Sequence, residues 1–252
     1  MTATPTRTPL QNTHRIRSFG RVAARLTDAS LAKVDAALAP FCLPPLATAA
    51  GMPLPQAWPT PSTWAPGTTR LVLDLGCGRA EWSLARAAVS PTTAFVACDV
   101  FRNGLTQIAR AITAQSLTNL KLYPRDGREI LAVLPAASVA EVVVLYPDPW
   151  PKARHHKRRL VQPAFLAEVV RCLQPGGVFF LATDIPSYAH AALAHLYACA
   201  GLQPVGDYPT AWATPPADWV PSAYERKARQ AGRQSWYLRF EKKPCQGGPT
   251  AL

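Results

Sequence analysis

Leu71-Val72-Leu73-Asp74-Leu75-Gly76-Cys77-Gly78-Arg79-Ala80-Glu81 sets the architecture of this chain. Its first five residues form an apolar run broken by one acid, which reads as a buried strand. Gly76, Cys77 and Gly78 make a small-residue turn, and a helix follows to about Ala88. The same unit recurs downstream. Thr93 to Cys98 reads as a strand ending at Asp99, with a helix over about 101–115, and Asn119 to Tyr123 as a strand ending near Asp126. Val142 to Leu145 is a fourth strand, followed by a helix over about 161–173. Gly176-Gly177 turns into a fifth strand, Val178 to Ala182, ending at Asp184; a helix spans roughly 187–200, and Ser235 to Glu241 closes as a late strand. Strands alternating with helices predict an α/β domain, a mostly parallel twisted sheet with helices on both faces.

Ligands of open α/β sheets bind outside the carboxyl ends of the strands. Asp74, Asp99, Asp126, Asp148 and Asp184 all stand at such ends or just beyond them. A dinucleotide fingerprint asks for G-x-G-x-x-G/A, whereas from Gly76 the pattern is G-x-G-x-A and the last position falls on Glu81. Asp74 just before the turn is poorly suited to a pyrophosphate and well suited to a cationic or hydroxyl-bearing ligand. Asp99, 21 positions beyond Gly78, is spaced to accept hydrogen bonds from ribose hydroxyls. This describes an adenosine ligand without phosphates and with a positive end, S-adenosylmethionine. Asp126 is placed to accept from the adenine amino group, or else to cap the turn before Gly127. Asp99 has a capping alternative too, on the helix starting at Arg102.

After Leu145 the chain reads Tyr146-Pro147-Asp148-Pro149-Trp150-Pro151-Lys152-Ala153-Arg154-His155-His156-Lys157-Arg158-Arg159. Three prolines within five residues hold φ nearly fixed. Asp148 and Trp150 are thereby displayed on a stiff loop beside a burst of positive charge. Trp150 stacks on a substrate base or packs the loop onto the domain; the sequence leaves both open.

The 252 residues carry 27 Lys plus Arg against 15 Asp plus Glu, net +12 with a pI near 9.8. That imbalance suits a polyanionic partner, most often nucleic acid. No continuous apolar stretch reaches the roughly 18 residues of a spanning helix. The six cysteines (Cys42, Cys77, Cys98, Cys172, Cys199 and Cys245) form no close pair, which suits a reducing compartment, and no zinc spacing exists, so no metal is expected. Residues 1–43 divide into a basic arm, with five arginines and no acid before Asp28, and a short helix over 29–41. The arm alone has the composition of a transit peptide or of an RNA-contacting extension. Seven prolines with Trp58 and Trp64 make 44–69 an irregular, partly extended segment. The domain proper is expected over 70–243 and a flexible tail over 244–252.

Asp74-Leu75-Gly76-Cys77-Gly78, the block from Tyr146 to Arg159, Thr183-Asp184 and Ser222-Ala223-Tyr224-Glu225 resemble the bacterial tRNA (guanine-N7-)-methyltransferase family. The proline-tryptophan-basic block is the most specific of these. The resemblance runs from about Arg70 to Lys242, and Ile16 to Thr27 is similar to the family's N-terminal arm, which favours an arm over a transit peptide. It implies a Rossmann-like class I S-adenosylmethionine-dependent methyltransferase fold, methylation of the variable-loop guanosine of tRNA and a cytoplasmic location. It implies cofactor contacts at Asp74, Gly76, Gly78, Asp99, Asp126 and Asp148, with Asp148 at the catalytic position. Lys152, Asp184, Ser222, Ala223, Tyr224 and Glu225 are then expected at the substrate, and Arg154, His155, His156, Lys157, Arg158 and Arg159 along the RNA. Three departures stand out. Ala80 replaces a third glycine, which it can do if φ stays negative; Ser222 replaces Thr; and Tyr146 and Tyr224 replace Phe, adding hydroxyls that need partners if buried. A non-catalytic RNA-binding relative, a small-molecule methyltransferase and a nicotinamide dehydrogenase are the rival readings. The five strand-end acids, the basic cluster and the glycine spacing count against them in turn. Nothing in the sequence fixes the oligomeric state, and a monomer is compatible with it.

Overall fold

The computed structural model describes residues 27–43, 67–207 and 209–244. The basic arm through Leu26, most of the proline-rich segment and the tail beyond Pro244 lie outside the described residues. Seven strands form one sheet: β1 (Arg70–Leu75), β2 (Thr93–Cys98), β3 (Leu120–Tyr123), β4 (Val139–Leu145), β5 (Leu173–Thr183), β6 (Leu202–Pro204) and β7 (Trp236–Lys242), in the order β3-β2-β1-β4-β5-β7-β6. β1 to β5 pair in parallel, and β7 runs antiparallel to both β5 and β6.

Eight α-helices are described: α1 (Asp28–Leu38), α2 (Glu81–Val89), α3 (Arg102–Ala114), α4 (Arg128–Val133), α5 (Pro163–Cys172), α6 (Pro186–Ala198), α7 (Thr210–Ala213) and α8 (Ala223–Gln230). Successive strand residues face opposite ways, and the core divides accordingly. Leu71, Leu73, Val142, Val144, Phe179 and Leu181 pack with Phe165, Leu166 and Val169 of α5 and with Tyr188 and Leu196 of α6. Val72, Phe95, Val143 and Phe180 pack with Leu38 of α1, Trp82 of α2 and Leu105, Ile108 and Ile112 of α3. Both faces are therefore covered, as the near-continuous apolar runs require of parallel strands.

Most expected elements lie where the apolar runs put them. β5 begins earlier than Val178, because Leu173 pairs with Val139 before a register shift that sets residues 174–177 against residue 140 alone. Gly177 is needed there: a Cβ would lie 2.9 Å from the Gln174 carbonyl and 3.1 Å from that of Ala140. The short α4, α7, α8 and β6, of three to eight residues, are not among the expected elements. N-terminal to the domain, α1 is tied to α3 by Asp35 and Arg102 at 2.7 Å. Beyond α1, Cys42 bridges to Leu122 in parallel, and the Leu43 N–H donates to the Leu122 carbonyl at 2.8 Å.

Candidate active site

Chain order reverses between β1 and β4, which opens a crevice at their carboxyl ends. The glycine turn lines it. Gly76 and Gly78 take φ of 77° and 58°, a region glycine enters freely. The N–H groups of Gly76 and Cys77 both donate to the Cys98 carbonyl, at 2.8 and 2.9 Å, stapling the turn to the end of β2. Ala80 corrects one expectation. Its φ is 48°, left-handed and not negative, so an alanine with a buried methyl carries backbone strain of about 1–2 kcal/mol at the start of α2.

Asp99 joins the turn to the next helix. Its Oδ2 accepts from the Gly78 N–H and its Oδ1 from the Phe101 N–H, both at 2.8 Å. Burial pushes its carboxyl above the ordinary range, and those N–H donors oppose the rise. Gly104 keeps α3 close: a Cβ there would lie 2.5 Å from the Gly78 carbonyl oxygen. Sequence reasoning missed Gly104, although a glycine in the first turn of a helix was a visible signal.

Asp74 is 2% exposed beneath the turn. The Ser83 hydroxyl donates to its Oδ2 at 2.6 Å, while Oδ1 is buried without a partner. Burial, with the charges of Asp99 and Glu141 behind it, pushes the carboxyl up to about 7. An orphaned acceptor under a glycine turn fits a ligand that brings a cation or a hydrogen-bond donor, which S-adenosylmethionine does. Asp126 lies near the same strand end, since its charge acts on the Cys98 thiol together with those of Asp74 and Asp99. Its carboxylate, however, is gripped by Arg128, whose Nε lies 3.0 Å from both oxygens and whose Nη2 lies 2.5 Å from Oδ2. The Arg128 N–H also donates to Asp126 Oδ1 at 3.0 Å, closing a turn over Gly127.

Across the switch point, Tyr146 and Trp150 frame Asp148 with φ of 51° and 43°. Left-handed conformations in bulky residues persist only when surroundings enforce them. Here the Tyr146 N–H donates to the Ala182 carbonyl at 2.7 Å, and its hydroxyl to Ser235 Oγ at 2.9 Å. Trp150 is 3% exposed, edge-on to His155 at 5.8 Å, with the Arg158 guanidinium 4.9 Å above its ring. The indole therefore packs the loop. The basic block is a 3-10 helix, Ala153–Arg158. Lys152, Arg154, Lys157 and Arg158 are exposed and the two histidines partly so. His155 is held below its usual pKa, first by desolvation and then by the surrounding cations; His156 has its Nε2 buried without a partner. Arg159 corrects the expectation that the whole block lies along RNA: it is 3% exposed and turned into the domain.

Asp184 accepts from Arg233 Nε at 2.6 Å. The Ser222–Glu225 segment forms the start of α8, with Ser222 Oγ accepting from the Glu225 N–H at 3.1 Å. Glu81 draws this end of α8 to the glycine turn, accepting from the Ala223 N–H at 2.8 Å and from Arg226 at 2.7 Å. Tyr224 is 58% exposed, its ring 3.7 Å from where a Gly78 Cβ would stand. Glu225 behaves otherwise. It is fully buried and accepts from Trp219 Nε1 at 2.6 Å, from the Tyr237 hydroxyl at 2.7 Å and from Arg229. Its carboxylate holds α8 from within. Among the described residues no group of three or more His, Cys, Asp or Glu is placed to hold a metal ion, and no helix is long and apolar enough to cross a membrane.

Two solved structures share the fold. The 16S rRNA methyltransferase KamB aligns over 90% of this chain and 99% of its own, with a TM-score of 0.52 and 18% identity. A 16S rRNA (adenine(1408)-N(1))-methyltransferase from Catenulisporales acidiphilia, with its cosubstrate SAM, aligns over 79% of this chain and 98% of its own, with a TM-score of 0.50 and 20% identity. With β7 reversed against an otherwise parallel sheet, the architecture is that of the class I S-adenosylmethionine-dependent methyltransferases. A family model described as Putative methyltransferase matches residues 68–238. A tRNA (guanine-N(7)-)-methyltransferase of Rhizobium meliloti is 40% identical over 173 residues, 69% of this chain and 75% of the relative. Its counterpart in Rhodospirillum rubrum is 38% identical over 183 residues, 73% and 72% of the two chains. This chain belongs to the tRNA (guanine-N7-)-methyltransferase family.

Proposed function

We propose that the chain methylates N7 of the variable-loop guanosine of tRNA in the cytoplasm. One observation carries the reading: a stiff loop bearing Asp148 leaves the cofactor crevice and continues directly into an exposed cationic helix. The residues before the loop suit a small cationic nucleoside, and those after it suit a phosphate backbone. S-adenosylmethionine supplies an electrophilic methyl group on a sulfonium.

Guanine N7 is an acceptor with a lone pair and no proton, so these residues need supply no general base. Their work is alignment, which contributes up to about 7–11 kcal/mol in favourable cases. The purine gains positive charge as N7 is alkylated, and carboxylates nearby stabilise that charge. Asp148 and Asp184 are assigned to the guanine N1–H and amino donors, and Asp74 and Asp99 to the cofactor. Tyr224 stands at the rim, while Lys152, Arg154, Lys157 and Arg158 neutralise phosphates. The target base has to leave its stack to reach the crevice.

The test is incubation of the full chain with unmodified tRNA and a labelled methyl donor, followed by mapping of the nucleoside. N7-methylguanosine in the variable loop is expected. Label at another atom or in another RNA overturns the substrate assignment, and cofactor binding without transfer supports a non-catalytic RNA-binding relative.

A further inference from the structure

Arg159 ends the basic block, yet its contacts lead away from any RNA. Its Nε donates to the Pro149 carbonyl at 3.1 Å. Nη1 donates to the Ser187 carbonyl at 2.7 Å and Nη2 to Ser187 Oγ at 3.0 Å. The guanidinium lies 5.0 Å over the Tyr188 ring. The Tyr188 hydroxyl in turn accepts the N–H groups of Leu160 and Val161, at 3.1 and 3.4 Å. One side chain thus joins the loop after β4 to the first turn of α6. Each segment carries an acid assigned to the guanine: Asp148 directly precedes Pro149, and Asp184 lies three residues before Ser187. Burial raises the Tyr188 pKa, and the charge of Asp148 is near enough to add to that rise.

We propose that Arg159 is a positioning residue, a clamp that sets the place of Asp148 relative to Asp184 through Pro149 and Ser187. The inference rests on the methyl-transfer reading of the site. The planar guanidinium suits the task because it donates in three directions while stacking on a ring; a lysine ammonium keeps the charge but loses that geometry. Phosphate binding asks mainly for charge. Arg159→Lys therefore separates the two roles.

Arg159→Lys, Ser187→Ala and Arg158→Ala are compared with the unaltered full chain by tRNA methylation kinetics, salt dependence of tRNA binding and amide hydrogen exchange. Arg159→Lys should lower kcat by about tenfold or more while KM for tRNA stays within about twofold. Its salt slope should be unchanged, and the Asp148 and Trp150 amides should exchange faster. Ser187→Ala, which removes one acceptor and perturbs folding least, should shift both readouts the same way by less. Arg158→Ala should instead raise KM and flatten the salt slope while kcat stays within about twofold. Wild-type kcat in Arg159→Lys, or a flattened salt slope with unaltered exchange, overturns the clamp. If the unaltered chain transfers no methyl group to tRNA, the function reading fails, and the exchange data alone decide the clamp: unaltered protection of Asp148 and Trp150 in Arg159→Lys then overturns it.

Discussion

Protonation should register most strongly at Asp74, where a buried carboxylate keeps one oxygen unpartnered. Its folded value, about 7, lies above the ordinary 3.8. Folding therefore favours the protonated form, and the stability Asp74 contributes is full below about pH 4 and lost as pH rises through about 7. Asp74→Asn should raise the melting temperature of the ligand-free protein at pH 8 and scarcely change it at pH 4. A cationic ligand selects the ionised form, so S-adenosylmethionine, with its sulfonium charge, should bind more tightly at pH 8 than at pH 5.5, and Asp74→Asn should lose most of that dependence in calorimetric titrations. At Asp148 the expectation differs, because its work is done on the base. Asp148→Ala should cut kcat by about 10²-fold or more and leave the S-adenosylhomocysteine Kd within a few-fold; normal turnover in the variant would remove Asp148 from the mechanism.

Among elements, α8 and the basic 3-10 helix show where a sequence stops being informative. β1, β2 and β4 were legible because short apolar runs, interrupted in β1 only by Asp74, end at a glycine, an acid and a proline in turn. Arg158 and Arg159 are neighbours of one type, and only the fold distinguishes the exposed cation from the buried one. The resemblance puts Glu225 at the substrate; the S-x-x-E spacing from Ser222 was a helix-start signal, but its buried partners Trp219 and Tyr237 are set by tertiary packing. Glu225→Ala leaves those donors unsatisfied in the interior and should cost about 3 kcal/mol, a fall in melting temperature of roughly 6–12 °C for a chain this size. Glu225→Gln keeps an acceptor oxygen and should cost less. For the basic helix, alanine at Lys152, Arg154, Lys157 and Arg158 should each reduce the slope of log Kd against log salt by about 0.7–0.9. Filter binding of tRNA across a salt series measures it, and additive losses are expected.

At the scale of the whole molecule, a chain of net charge +12 places a set of acids along one edge of its sheet and displays cations on the adjoining helix. That division was readable in outline, since the strand-end acids and the basic block are separate in sequence. How the N-terminal helix joins the domain was not readable, because tertiary packing sets the attachment: Leu38 into the core, Asp35 to Arg102, and Cys42 and Leu43 to Leu122. Unpaired strand edges invite pairing between molecules. Cys42 and Leu43 act as a selvedge, finishing the β3 border so that it offers less to another copy. A chain shortened to begin after Leu43 would bare that hem together with the cavity left by Leu38, and should gather into aggregates that the intact protein avoids.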